Sequence, residues 1–167
     1  MIGSIVLALS VAAAVEHHAA DASEALGRLR QLQGSWRGTY SWTGVRADKG
    51  EMKATYHVTG NGSALIEDLI MNEQPVMTSA YHVDKNDLRM THYCAAGNQP
   101  RLKASSIDLG ANVFRFEFVD ITNLATADSP HVYGFTIRLV DPNHIQLEFA
   151  FQGHGKKSIE HIELTRV

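Results

Sequence analysis

The sequence predicts an all-β protein, an antiparallel up-and-down β-barrel of about ten strands that follows a short N-terminal helix. Three observations favour this fold class. Apolar and polar residues alternate along most of the chain after Gly34, turn residues interrupt the alternation at hairpin spacing, and no helical periodicity lies between the turns. A sheet with one apolar face must cover that face, and closure into a barrel does so without unpaired edges. A two-sheet sandwich is the alternative that the pattern leaves open.

A short amphipathic helix is predicted before the strands. Asp21 followed by Glu24 is typical of a capped helix start, because an acidic side chain can accept hydrogen bonds from the first free amides. Apolar residues then recur at helical spacing from Ala22 to Leu32, and Gly34 ends the pattern as a C-terminal cap would. We expect a helix of about three turns.

Alternation with a period of two is clearest in three stretches. The phenylalanines of 114–118 share one face, as do the apolar residues of 52–58 and of 145–151. The longest break, 121–130, is expected to form a lid or a loop at the barrel mouth. The predicted strands cover 34–44, 49–59, 63–71, 75–84, 87–95, 100–108, 112–120, 131–140, 143–152 and 157–166.

Composition places the chain among ordinary globular domains. Its 167 residues and 44% hydrophobic content fit one domain with its own core. The formal net charge is −3 and the largest basic group is Lys156-Lys157. The sequence therefore has no cluster of basic residues of the kind that binds nucleic acid or an anionic membrane. The single cysteine, Cys94, cannot form a disulfide within the chain. We expect it to be a small buried side chain rather than a reactive thiol.

The N-terminal segment is typical of an export signal. Ile2–Val15 is almost wholly apolar or small, a length that suits a signal-peptide core and is short for a membrane span, and no other stretch approaches a span. Small residues at 12–14 and 20–22 offer two cleavage sites. We expect residues 1–22 to be a signal peptide and 23–167 to be a barrel domain that is periplasmic or secreted. No Lys or Arg precedes the apolar run, which leaves a retained helix as the alternative.

Two motifs resemble known barrels. The first runs Leu32-Gln-Gly-Ser-Trp36-Arg-Gly-Thr-Tyr40 and resembles the opening of the calycins, which include lipocalins, fatty-acid-binding proteins and nitrobindin-like proteins. That resemblance implies that Trp36 closes one barrel end beneath the helix. The second comprises 91–101 with 62–67 upstream, and it is similar to a bacterial group of exported lipocalin-like domains of unknown function. The resemblance covers about residues 30–167 and implies a fold but no ligand or reaction.

The stretch 91–101 is also the richest in polar groups, and we treat it as the candidate ligand site. Alternation along its strand places His92 on one face and Tyr93 on the other, and polar residues then follow around a Gly-Pro bend. An arginine there could hold a carboxylate through its planar fork. The alternative is a polar network that stabilises a tight loop, with the histidine buried and hydrogen-bonded. The candidate binding residues are His92, Tyr93, Asn98, Gln99, Arg101 and Glu67.

Cofactor and catalytic motifs are sparse. Seven of the nine histidines follow residue 22, but none shows the spacing of a zinc site, so no metal ligand is assigned. Nitrobindin-like barrels bind haem through a histidine near the C-terminus, and His161 and His154 lie in that region without a matching local motif. The chain has no Gly-x-Ser-x-Gly and no phosphate-binding glycine loop, so no catalytic residue is assigned.

The function that the sequence favours is binding of a small apolar or amphipathic molecule in the barrel. Three alternatives stay open. They are a nitrobindin-like haem protein, an isomerase or hydrolase that uses His92, Tyr93 and Glu67, and a structural or interaction domain without a ligand. An open interior would favour binding, and an interior filled by side chains would favour the last alternative. The sequence gives neither the cofactor nor the oligomeric state.

Overall fold

The computed structural model describes residues 21–167, which form a closed all-antiparallel β-barrel with one short N-terminal α-helix. The predicted fold class is confirmed, and the strand boundaries differ from the predicted ones by at most two residues. The predicted signal segment lies outside the described residues, apart from the start of the helix. The strands are β1 (Gly34–Gly44), β2 (Lys49–Thr59), β3 (Ala64–Met71), β4 (Gln74–Asp84), β5 (Asp87–Tyr93), β6 (Gln99–Asp108), β7 (Val113–Thr122), β8 (His131–Asp141), β9 (His144–Gly153) and β10 (Lys156–Arg166).

The barrel is a simple meander. Each strand pairs antiparallel with the next, and β1 closes the ring on β10, with Trp36 opposite Arg166 and Trp42 opposite Glu160. Closure requires a close approach at Gly38, where a Cβ atom would lie 1.8 Å from the carbonyl oxygen of Glu163. Only glycine can occupy that position in this register.

Within residues 21–167, no helix is long and apolar enough to span a bilayer.

One end of the barrel is covered by the helical segment. α1 spans Ala22–Leu29, and the Asp21 carboxylate caps it by accepting from the Ser23 amide at 3.0 Å. Trp36 is 1% exposed, and its Nε1 donates to the Leu32 carbonyl at 2.8 Å. The predicted burial of Trp36 at the helix-covered end is therefore confirmed.

The helix is shorter than predicted. Its last turn, Arg30–Leu32, is a 3₁₀ turn, and Gly34 is the first residue of β1 rather than the helix cap. The physical reason is the connection to β1, because the Arg166 guanidinium donates hydrogen bonds to the carbonyls of Gln31 and Gln33 at 2.8 and 2.7 Å. Carbonyls that are already paired this way do not need a glycine cap.

Aromatic rings fill the middle of the barrel. Phe135 lies at the centre of this cluster, with ring centroids 4.5 Å from Phe149, 5.7 Å from Phe116 and 6.3 Å from Tyr81. All four side chains are at most 3% exposed. The middle of the barrel is thus a packed core, as in other small barrels.

The opposite end, here called the mouth, is formed by the loops that follow β1, β3, β5, β7 and β9. The β7–β8 loop 123–130 belongs to it, as predicted for the longest break. Asn123 donates to the Gly97 carbonyl at 2.6 Å, and Asn98 donates to the Pro130 carbonyl at 2.9 Å. These bonds tie the β5–β6 and β7–β8 loops together across the mouth.

Candidate functional site

A polar network lies inside the barrel on β2 to β5. Glu67 is fully buried and accepts three hydrogen bonds, from the hydroxyls of Tyr56 at 2.8 Å, Tyr81 at 3.0 Å and Ser79 at 3.0 Å. Burial raises the pKa of Glu67, while the three hydroxyl donors act in the opposite direction. Burial also raises the pKa of both tyrosines well above their usual value, so their hydroxyls stay protonated donors.

His92 extends this network towards the mouth. Its Nδ1 lies 3.0 Å from the Ser79 hydroxyl, and its ring packs on Phe149 with centroids 5.0 Å apart. Burial lowers the His92 pKa to about 3, so the imidazole is neutral at ordinary pH. When Ser79 gives its only hydrogen to Glu67, His92 must donate from Nδ1, and its Nε2 is then an acceptor. Nε2 is buried and has no hydrogen-bond partner among residues 21–167.

The six predicted site residues do not form one cluster. Glu67 and His92 meet inside the barrel through Ser79, as described above. Tyr93 points outwards and is 53% exposed, so it cannot act with them on one substrate. Arg101 is also on the outer face, where its guanidinium forms a bidentate pair with Asp120 at 2.5 and 2.7 Å.

Asn98 and Gln99 stabilise the mouth loops. The Asn98 amide holds the Pro130 carbonyl, and its Oδ1 is buried without a partner in the described part of the chain. Gln99 accepts from the Thr122 hydroxyl at 2.9 Å and donates to the Gly97 carbonyl at 3.2 Å. These contacts agree with the loop-stabilising alternative for this part of the stretch.

A pocket of about 340 Å³ opens at the mouth. Its volume falls in the range of small-ligand sites. Its walls are mostly apolar, with Trp42, Met77 and Phe151 among them, and Cys94 lines it from the end of β5. Cys94 is 8% exposed, as expected for a small buried side chain, and burial raises its thiol pKa.

Glu160 is a buried carboxyl group in this pocket. It stands on β10 between Trp42 of β1 and Phe149 of β9, so its side chain faces inwards and is 3% exposed. Its Oε2 atom is buried and has no hydrogen-bond partner among residues 21–167. Burial raises the Glu160 pKa to about 7, and the nearby Arg46 guanidinium acts in the opposite direction.

Arg46 covers the pocket from the β1–β2 loop. Its Cζ lies 4.2 Å from the ring centroid of Trp42 and 5.7 Å from that of Phe151. The two rings are themselves 4.9 Å apart. A guanidinium at these distances is attracted to the electron-rich ring faces. The pocket therefore already holds one cation, which the chain itself supplies.

A larger depression of about 490 Å³ lies on the outside of β7 to β10. It is lined by Arg115, Arg138, Glu148 and other outward side chains, and His161 pairs with Glu148 there at 3.2 Å. Its polar groups are solvated or paired with one another, and none of the buried polar atoms that lack a hydrogen-bond partner within residues 21–167 belongs to its lining. The mouth pocket is therefore the better candidate site.

The histidines considered for haem lie outside the barrel. His161 is on the outer face, between Ser41 and Glu148 in the sheet register. His154 lies in the β9–β10 turn, 68% exposed and 3.5 Å from Asp128. Neither imidazole can reach a group held inside the barrel. Among residues 21–167, no three His, Cys, Asp or Glu side chains converge as a metal site would require.

The sequence reasoning missed Trp42, Arg46 and Glu160. A signal for Glu160 was present, because it shares the period-two face of Ile162 and Leu164, and this alternation predicts an inward carboxyl. Trp42 likewise shares the period-two face of Trp36 and Tyr40, whereas Arg46 lies in a loop and gave no such signal. Their meeting with Glu160 depends on barrel closure between β1 and β10.

Comparisons with known proteins support the fold and leave the function open. No family model matches the chain, and no curated protein does. The structure of Rv2717c from M. tuberculosis is similar, with a TM-score of 0.59 and 16% identity over 86% of this chain and 97% of that one. A protein of unknown function from the DUF3598 family of Nostoc punctiforme has a TM-score of 0.57 and 13% identity over 82% of this chain.

This chain covers 48% of the Nostoc protein, about half its length. At such identities the likeness concerns the fold alone. The ten-strand antiparallel barrel fits a calycin-like fold.

Proposed function

We propose that this protein is an exported, calycin-like binding protein that holds a small amphipathic molecule in its mouth pocket. The observation that carries the proposal is the buried, unpartnered Oε2 of Glu160 in an otherwise mostly apolar pocket of about 340 Å³. A buried polar atom without a partner is costly, and a ligand that pairs with it recovers that free energy. Export rests on the apolar segment Ile2–Val15 alone.

The packed interior restricts where a ligand can lie. The aromatic cluster around Phe135 leaves the middle of the barrel to side chains, whereas the mouth pocket is open to solvent through its loops. The ligand is therefore bound at the barrel end, with its apolar part against Met77 and Phe151 and a hydrogen-bonding group at Glu160. This placement uses neither Arg101 nor Tyr93.

The test is occupancy of the pocket. Native mass spectrometry of the protein purified from its host should show an added mass, and the neutral fluorophore prodan should bind the emptied protein. Ala96, an exposed residue on the pocket wall, provides a blocking variant, Ala96→Trp. Ala111, exposed in the β6–β7 turn at the helix-covered end, provides the matched control, Ala111→Trp.

Ala96→Trp should reduce prodan affinity by about tenfold or more, because an indole fills much of a pocket of this size. Ala111→Trp should leave it unchanged. Equal binding by both variants would place the ligand elsewhere, and absence of both an added mass and prodan binding would favour a domain without a ligand.

A further inference from the structure

The mouth pocket has the chemistry of a cation site. Two aromatic side chains, Trp42 and Phe151, contact each other at a tilt of 55° and face the Arg46 guanidinium. The Glu160 carboxyl lies in the same pocket. Aromatic faces combined with a carboxylate are the groups that recognise organic ammonium ions. Arg46 itself occupies the aromatic half of this arrangement.

We infer that the ligand of the mouth pocket is an amphipathic organic amine, whose ammonium group displaces Arg46 from Trp42 and pairs with Glu160. This inference rests on the proposed function and names the ligand class. Arg46 is well suited to being displaced. It lies in the exposed β1–β2 loop, so a guanidinium that leaves the rings enters solvent. The incoming ammonium then replaces it as the positive charge near Glu160.

Charge favours a cation over an anion. The pocket wall carries two carboxyl groups, Glu160 and Asp48, and one guanidinium, Arg46. An anionic ligand would have to bring its charge beside a buried acid, which is unfavourable when that acid is ionised. An ammonium instead pairs with the buried acid and replaces one cation by another over the rings.

The shape of the pocket accounts for an apolar tail. Met71, Val76 and Met77 line the wall formed by β3 and β4, and the flexible thioethers can adapt to tails of different shape. An amine with an aryl or alkyl tail would place its tail there and its ammonium group between Trp42 and Glu160. The pocket should therefore accept a range of amines rather than one compound.

Binding should depend on pH through Glu160. Besides Glu160, the groups that face the pocket are Arg46 and Asp48 of the β1–β2 loop, Cys94 at the end of β5 and Tyr40 of β1. Because the Glu160 pKa is about 7, the carboxylate needed for an ammonium forms as the pH rises through neutrality. Amine affinity should therefore increase between pH 6 and pH 8, by up to about tenfold per unit below the pKa.

Three matched probes test the inference with the full chain. Phenylpropylamine, phenylpropanol and phenylpropanoate share one tail and differ in the charge of the head group. We expect calorimetry at pH 8 to give an affinity for the amine about tenfold above that of the alcohol, and weaker binding of the carboxylate. Quenching of Trp42 fluorescence should accompany amine binding.

Three variants identify the groups responsible. Glu160→Gln should abolish the preference for the amine and its pH dependence, with alcohol binding retained. Arg46→Ala should strengthen amine binding by about threefold or more, because the internal competitor is gone. Arg138 is an exposed arginine on the outer face, and Arg138→Ala should leave the affinities for all three probes unchanged. Arg46 is exposed, so its variant should melt as the native chain does, which keeps the comparison interpretable.

The possible failures are distinct. If phenylpropanoate binds best and Arg46→Ala weakens it, the site is an anion site, and the cation inference is wrong while the proposed binding function stands. If the three probes bind equally, Glu160 does not select charge and the inference is again wrong. If none of the three binds and prodan does not bind either, the proposed function fails as well.

Discussion

At the scale of single residues, residues 21–167 contain two buried acids in opposite situations. Glu67 has three hydroxyl donors, whereas Glu160 has an oxygen without a partner among residues 21–167. A fully satisfied buried network stabilises and orders its surroundings, whereas an unsatisfied group is available to a ligand. This difference is the reason why the proposal gives Glu67 a structural role and Glu160 a role in ligand binding.

The Glu67 network predicts a specific stability effect. Tyr81→Phe removes one of the three hydroxyl donors, so the buried Glu67 carboxyl loses one hydrogen bond that no solvent replaces. The substitution should lower the free energy of unfolding by about 1–3 kcal/mol. Urea denaturation of the native chain and of the variant measures this difference. Tyr133→Phe is the control, because that ring is partly exposed on the outer face, 5.0 Å from the Lys157 ammonium. Equal loss from both variants would mean that the network contributes nothing specific.

Arg101 illustrates why the polar density of 91–101 was not sufficient to predict a site. Its pair with Asp120 is exposed, and exposed pairs contribute about 0–1 kcal/mol. The sequence shows that an arginine is present, but the face on which it lies is decided by where β6 begins and by its bulged register with β7, which shifts at Arg101/Leu102. The proposed pocket does not require it.

At the scale of elements, the two barrel ends differ in how far they are closed. The helical segment closes one end through Trp36, and Arg166 joins the end of β10 to that closure, with its guanidinium 4.3 Å from the Trp36 ring centroid. The mouth loops leave the other end accessible. The sequence predicted the closed end from a contiguous motif. It predicted the mouth less well, because five loops from distant positions meet there.

Trp36 should be the largest single contributor at the closed end. Trp36→Ala removes a fully buried indole and its hydrogen bond to Leu32, and should lower the free energy of unfolding by about 3–5 kcal/mol. Trp42→Ala is the matched control, because Trp42 is only half-buried at the mouth. This substitution should lower the free energy of unfolding clearly less than Trp36→Ala does. The measurement is chemical denaturation of each variant. An unchanged melting temperature for Trp36→Ala would contradict the role assigned to the helix-covered end.

At the scale of the whole molecule, the fold follows from local signals and the site does not. Alternation and turn residues are read within ten residues or so, and they located every strand of residues 21–167. The pocket depends on the pairing of Trp42 with Glu160, which exists only once the first and last strands have met. Alternation along β10 predicts that Glu160 points inwards, but its contact with β1 and its raised pKa follow from that closure and cannot be predicted from the local sequence.

Two buried titratable groups should shape the stability of the whole barrel in opposite directions. His92 has its pKa lowered from 6.5 to about 3, so the unfolded chain binds a proton that the folded chain does not, and stability falls as pH decreases from 6.5 towards 3. Glu160 has its pKa raised from 4.5 to about 7, so the folded chain keeps its proton longer, and stability falls as pH increases from 4.5 towards 7.

Between pH 4.5 and 6.5 the two contributions oppose each other, each at about 1.4 kcal/mol per pH unit. Single substitutions should therefore separate the contribution of His92 from that of Glu160 when the free energy of unfolding is measured across this pH interval. Relative to the native chain, Glu160→Gln should become more stable as pH rises, by about 3 kcal/mol in all up to pH 7. His92→Gln should become less stable relative to the native chain over the same interval.

The double variant Glu160→Gln with His92→Gln should follow the native pH dependence there, because the two removed contributions have opposite signs. A native pH profile that neither single variant alters would mean that both side chains are solvated in solution, and that the mouth is more open than its packing indicates.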